Sequence, residues 1–200
     1  MGETHAGNLS LVGGALALDF TNTAAGRDTA TQIERLREAT DVVDFAAHAG
    51  GIGADTARRI HAAMTDEVAE TVLRDARKLR EAIYGTAVAV ARRRGPSQDD
   101  LEIVKGFAQK AMATATLAPV GDGSYRLDFS AAPAEEALLG PIAWSAMELL
   151  TALDPARLKQ CMGEGCGWLF LDLSKNNSRR WCDMATCGNR TKAQRHRTRH

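Results

Sequence analysis

Residues 161–190 of this 200-residue chain read CMGEGCGWLFLDLSKNNSRRWCDMATCGNR, and the division of the whole molecule follows from that stretch. It holds all four cysteines, as Cys161-x4-Cys166, fifteen intervening residues, and Cys182-x4-Cys187. Two close pairs separated by a loop of this length suit a tetrahedral Zn(II) site. Each pair makes a tight turn, and the segment between them folds back to close the coordination sphere. The expected cofactor is one structural Zn(II) per chain, with Cys161, Cys166, Cys182 and Cys187 as metal ligands. Four thiolates fill the sphere, whereas a catalytic zinc keeps an open position. Disulfides suit an oxidising compartment, and nothing in the sequence suggests secretion.

Outward from the cysteines, Gly163, Gly165 and Gly167 permit the tight first turn, and Trp168–Leu171 reads as a strand. Lys175–Ser178 reads as a turn. Gly188–Arg199 has no helix breaker, so a helix is expected to start at the last ligand. Turn, hairpin, turn and helix is the order of a treble-clef zinc fold, which sets the fourth thiolate near a helix N-terminus where the backbone dipole favours negative charge. This region is also basic. Residues 161–200 hold eight Lys and Arg against Glu164, Asp172 and Asp183, a surplus of five, and the chain is neutral overall, so the first 160 residues carry a deficit of five. From Arg190 to His200 there are five cations, two histidines and no acidic side chain. Such crowding is costly unless an anionic partner is met, and phosphate backbone is the expected partner. Arg190, Lys192, Arg195, Arg197 and Arg199 are the candidate DNA contacts. A zinc with four thiolates carries a net charge of −2, so Arg179, Arg180, Arg190 and Lys192 also qualify as its counter-charge.

The first 160 residues contain no cysteine and read as a mainly helical body. Leu9–Thr23 (LSLVGGALALDFTNT) alternates Leu16, Leu18 and Phe20, which predicts a strand or bent strand pair. A helix is expected from Gln32 to about Ala49 and a short one over Asp55–Met64. A long helix capped by Thr65 follows, with the stripe Val72, Ala76, Leu79, Ile83, Ala87 and Val90. Ser97 opens another helix to about Thr114. Leu117–Val120 and Ser124–Phe129 flank Gly121-Asp122-Gly123 as a hairpin. Pro133–Leu153 is too apolar all round for a surface helix, so burial in the body or in a dimer contact is expected. Asp154-Pro155 marks the boundary. No stretch approaches a membrane span, and the expected location is the cytoplasm. No nucleophile elbow and no HExxH are found, so an enzyme is not expected.

The run Cys182–Arg190 with Arg179-Arg180-Trp181 before it resembles the CGNR zinc-finger family, named for Cys187-Gly188-Asn189-Arg190. Cys161 and Cys166, with Phe170 and Asp172 after them, also fall where that family has them. Leu11–Thr23 resembles the opening of the N-terminal domain usually joined to this finger, known as a stress-induced transcription regulator domain. The resemblance implies a bacterial transcription regulator of stress response, with the finger on DNA and the N-terminal domain sensing a ligand. Asp19, Asn22 and Thr23 are the polar residues of that opening, and either line a small-molecule site or hold local structure.

The fold class expected is α+β. Residues 1–154 form a mainly helical regulatory and ligand-sensing domain with a small β component, able to fold without the finger. Residues 155–200 form a four-cysteine, treble-clef-like zinc finger. The partners expected are DNA, a small-molecule ligand and a second copy in a homodimer, with no membrane. The alternatives are an RNA- or protein-binding zinc module, or a metal-dependent nucleic-acid enzyme.

Overall fold

Thr65 opens the longest element. Its hydroxyl accepts the Val68 N–H, and Asp66 and Glu67 occupy the first turn, so cap and helix dipole act together. The computed structural model describes residues 4–27, 29–30, 32–152 and 154–197, with side chains to residue 194. In it this helix, α4 (Asp66–Ala91), buries Val72, Ala76, Leu79, Ile83 and Ala87 along the stripe expected from their spacing. α5 (Gln98–Met112), capped by Ser97, packs on α4 and on α6 (Ala134–Ala152). α6 is apolar on nearly every side because it is covered on nearly every side. Leu138, Leu139, Ile142, Ala143, Ala146 and Leu149 are buried among neighbours that include α1, α4 and α5.

The sequence reading of Leu9–Thr23 as strand is corrected. The segment contains α1 (Leu16–Thr21), wedged between α4 and α6. Ala17, Leu18, Asp19, Phe20 and Thr21 are all buried. A helix enclosed all round has no polar face, so its apolar residues report no 3.6-residue period. Thr21 at its end and Thr23 just beyond it turn their hydroxyls back to the carbonyls of Leu18 and Phe20, each at 2.7 Å. Gly13 folds back on the helix, leaving no room for a side chain: a Cβ there would lie 2.8 Å from the Asp19 nitrogen.

The helix expected from Gln32 is also shorter than its apolar pattern implies. Ile33–Glu34 is β2, paired antiparallel with β1 (Ala24–Ala25), and α2 runs only over Ala39–His48. Glu38 sets its start through a reciprocal capping box with Asp41. α3 (Ala54–Ala63) follows, and β3 (Thr116–Pro119) pairs with β4 (Tyr125–Asp128) as the expected hairpin. The architecture is α+β: a helical body with small antiparallel strand pairs. No helix among the described residues is long and apolar enough to cross a membrane.

The third pair belongs to the cysteine region and completes the body's packing. β5 (Leu158–Gln160) and β6 (Leu169–Leu171) are antiparallel, with Leu158 opposite Leu171. Leu158, Leu169 and Leu171 join Leu18, Ala87 and Leu149 in one buried cluster, flanked by Tyr84 and Val88. The Leu171 N–H donates to the Gly13 carbonyl at 2.8 Å, and the Gly26 N–H to the Cys166 carbonyl at 3.1 Å. The metal-binding module and the helical body thus share a core.

Candidate metal centre

The hairpin β5–β6 presents Cys161 and Cys166 at its turn, and a second turn returns Cys182 and Cys187 to the same place. All four cysteines are buried, and their sulfur atoms lie within 4.8 Å of one another. Cys166 Sγ and Cys182 Sγ are 3.7 Å apart, as are Cys182 Sγ and Cys187 Sγ. A disulfide needs about 2.05 Å, and the four thiols are free. A tetrahedron with metal–sulfur bonds of about 2.3 Å has edges of about 3.8 Å, so the sulfur spacing fits a single tetrahedral metal ion. Around the sulfurs are donors. The N–H groups of Gly163 and Cys182 point at Cys161 Sγ at 3.4 and 3.3 Å, and Arg190 Nη2 at Cys187 Sγ at 3.3 Å. These groups stabilise thiolate and orient the ligands. Hydrogen bonds from Cys166 and Cys182 lower the Cys161 thiol, while Cys161 in turn raises both partners. Four sulfurs this close could hold one metal ion, which would let all four ionise together.

Each turn is locked by its own acid. Asp172 is fully buried and accepts from Lys159 Nζ at 2.6 Å, Arg179 N at 2.7 Å and both the N–H and hydroxyl of Ser174. Burial alone would raise its carboxyl, but the Lys159 ammonium and these donors hold it well below the usual carboxylate range. Asp183 caps the short π-helical turn Met184–Gly188 through the N–H groups of Ala185 and Thr186. Gly165 and Gly167 take positive φ, 64° and 71°, as the first turn requires. A Cβ on Gly163 would lie 3.1 Å from Cys187 Sγ, so the absence of a side chain there lets the two cysteine pairs approach.

Of the candidate nucleic-acid contacts, Arg190, Lys192, Arg195 and Arg197 fall in α7 (Asn189–Arg197), which starts two residues after Cys187. Lys192 is exposed. Arg190 is exposed too, yet its guanidinium reaches the Cys187 sulfur. The side chains of Arg195 and Arg197, and Arg199 as a whole, lie outside the described residues. Arg179 lies 4.4 Å over the Phe170 ring and donates to the Trp181 and Cys182 carbonyls, so it braces the backbone of the second turn.

Asp19, Asn22 and Thr23 are buried and engage the protein itself. Asn22 clamps Leu169: its Nδ2 donates to the Leu169 carbonyl and its Oδ1 accepts the Leu169 N–H, both at 2.9 Å. Sequence reasoning missed this clamp, since nothing local marks a partner 147 residues away. Thr23 Oγ1 also accepts from the buried Arg80 at 3.3 Å, beside the Arg80–Glu34 pair with contacts of 2.6 Å. Asp19 Oδ1 accepts the Gly13 N–H at 2.7 Å. Burial nonetheless pushes its carboxyl up to about 6, against the pull of the Gly13 and Val12 N–H groups and of His48. A carboxyl whose folded value is raised favours folding below its unfolded value, and that advantage is lost as pH rises from about 4 through about 6. Asp19→Asn retains an acceptor for Gly13 without the charge. Its stability relative to the wild type is expected to rise across that window by about 3 kcal/mol. Denaturation of both proteins at about pH 3.5 and pH 8, which bracket the window, checks this, and a difference independent of pH would refute it.

Two family models match the chain. One is the CGNR zinc finger, over residues 157–200. The other is ABATE, described as "Putative stress-induced transcription regulator", over residues 14–153. No curated protein matches.

Proposed function

The chain belongs to the ABATE family, and from that premise we propose that it is a DNA-binding transcription regulator of the cytoplasm rather than an enzyme. In this reading residues 155–200 hold one structural Zn(II) through Cys161, Cys166, Cys182 and Cys187 and meet DNA, while residues 1–154 sense a ligand and dimerise. The observation that carries it is the basic helix α7, fixed at its N-terminus by the last cysteine and free of acidic side chains. Metal and DNA roles are then separate in this segment: the first turn of α7, with Arg190, completes the thiolate cluster, and Lys192, Arg195 and Arg197, with Arg199 after them in the sequence, are left for phosphate.

Fluorescence anisotropy on genomic DNA fragments at several salt concentrations tests this. Binding should weaken with a log–log slope of about −0.9 per phosphate neutralised. Replacing Arg195 and Arg199 by Ala should flatten that slope by about two units without releasing zinc. Arg190→Ala should instead release zinc more readily. A zinc-loaded protein that binds neither DNA nor RNA at low salt would reject the regulator reading, and binding confined to RNA would select the RNA module.

For ligand sensing, the support is an open groove of about 1160 Å³ between β4, α6 and the segment from Gly50 into the first turn of α3, walled by Leu127, Phe129, Pro141 and Trp144. For dimerisation it is the β3–β4 hairpin, where Leu117 and Tyr125 are 67% and 65% exposed. Clustered apolar side chains of this size in water mark an interaction surface. Static light scattering across the micromolar range decides between monomer and dimer.

A further inference from the structure

Five charged side chains are buried among the described residues: Asp19, Arg35, Asp41, Arg80 and Asp172. Four are answered within the protein. Asp41 meets Arg37, Arg80 meets Glu34 and Glu81, Asp172 meets Lys159, and Asp19 accepts backbone N–H groups. Arg35 is different. Its Nε and Nη1 are fully buried and find no acceptor. The neighbouring acid, Glu34, gives both carboxylate oxygens to Arg80 at 2.6 Å and one of them also to the Leu36 N–H. A guanidinium stays charged at any pH the fold survives. Burying it without a partner is costly.

What faces Arg35 is the cysteine module. Its guanidinium carbon lies 5.8 Å from the centre of the ring of Trp168, which packs against the four-cysteine cluster, and its charge feels the Glu34 carboxylate first and the Cys166 sulfur second. Trp168 Nε1, in the same seam, is also buried without an acceptor. The orphaned groups are all donors, so the seam lacks negative charge. Four neutral thiols do not supply it, whereas four thiolates on a divalent metal carry −2. Arg190 of the finger already points at Cys187, and Arg35 of the body brings the second positive charge.

We propose that Arg35 is a counter-ion of the metal–tetrathiolate, supplied by the body across the seam. The inference rests on the zinc-loaded reading above. Arg35 is a positioning residue: it touches no metal, and acts through the charge on the thiolates. Metal then holds body and finger together by charge as well as by packing, and its loss leaves a buried cation unanswered on the body side.

The test compares the full chain with Arg35→Met, similar in length and uncharged, and Arg35→Lys, which restores the charge. In Co(II)-loaded protein the thiolate-to-metal charge-transfer band should move to lower energy in Arg35→Met and return in Arg35→Lys. Transfer of zinc to a chromogenic chelator should be about 10-fold faster in Arg35→Met, the scale of effects for groups supporting a metal ligand. In the loaded protein Arg35→Met should destabilise, but in the metal-free protein it should be neutral or stabilising. A packing role would give the same sign in both states. An unmoved Co(II) band together with unchanged release overturns the proposal. So does stabilisation of the metal-free wild type by inorganic phosphate that Arg35→Met abolishes, which would assign the seam to a bound anion. Failure of the zinc reading is distinct: the wild type would then take up no Co(II) with a four-thiolate spectrum.

Discussion

A chain ended at Asp154 is expected to lose cooperative folding. The cysteine region supplies Leu158, Leu169 and Leu171 to the cluster that covers Leu18, Ala87 and Leu149. Burying one leucine is worth about 1.5–3 kcal/mol. Losing three, and uncovering their partners, removes a large part of the about 5–15 kcal/mol that stabilises a domain. Truncation also strips the Gly13 carbonyl and the Gly26 N–H of their partners. Circular dichroism melts and dye binding to exposed apolar surface measure the outcome, and a cooperative melt within a few degrees of the full chain would refute it. Chelation should act in the same direction, because metal binding is linked to folding of the module that holds β5 and β6 in place. Two units that seem independent in the sequence are therefore expected to report on each other.

Asn22→Asp is expected to destabilise the full chain by about 3–5 kcal/mol at neutral pH. Asn22 is 1% exposed and Leu169 is not exposed at all, so water cannot replace what the substitution removes. The Leu169 carbonyl loses its donor, and a carboxylate is placed beside it in the core. Burial raises the pKa of such a group, so the deficit should shrink as pH falls and the new carboxyl protonates. Asn22→Ala leaves two backbone groups unpaired and should cost about 2–4 kcal/mol without that pH dependence. Urea denaturation of the three proteins at pH 5 and pH 8 separates the charge from the lost hydrogen bonds. A loss below about 0.5 kcal/mol, the range of ordinary surface substitutions, would mean that Asn22 is not a structural clamp.

The sequence by itself determined whatever is encoded by near neighbours. Cysteine spacing marks the four-cysteine cluster because a tetrahedral site closes over two short turns, and the stripe of α4 and the caps at Thr65 and Ser97 operate within one or two helical turns. The β3–β4 hairpin is legible for the same reason, since its turn chemistry and alternation are local. The N-terminal stretch is not. α1 is enclosed on every side, which erases the polar face that distinguishes helix from strand, and Asn22 owes its role to Leu169, 147 residues away. Its polar run, Asp19, Asn22 and Thr23, reads in isolation as either a ligand site or local structure, because the sequence does not reveal that its partners include backbone groups, Arg80 and the finger. Only the tertiary structure brings Arg35 over Trp168 and leaves its Nε and Nη1 buried without an acceptor. Burial and unanswered charge are properties of what surrounds a side chain, and the chain acquires those surroundings only when it folds.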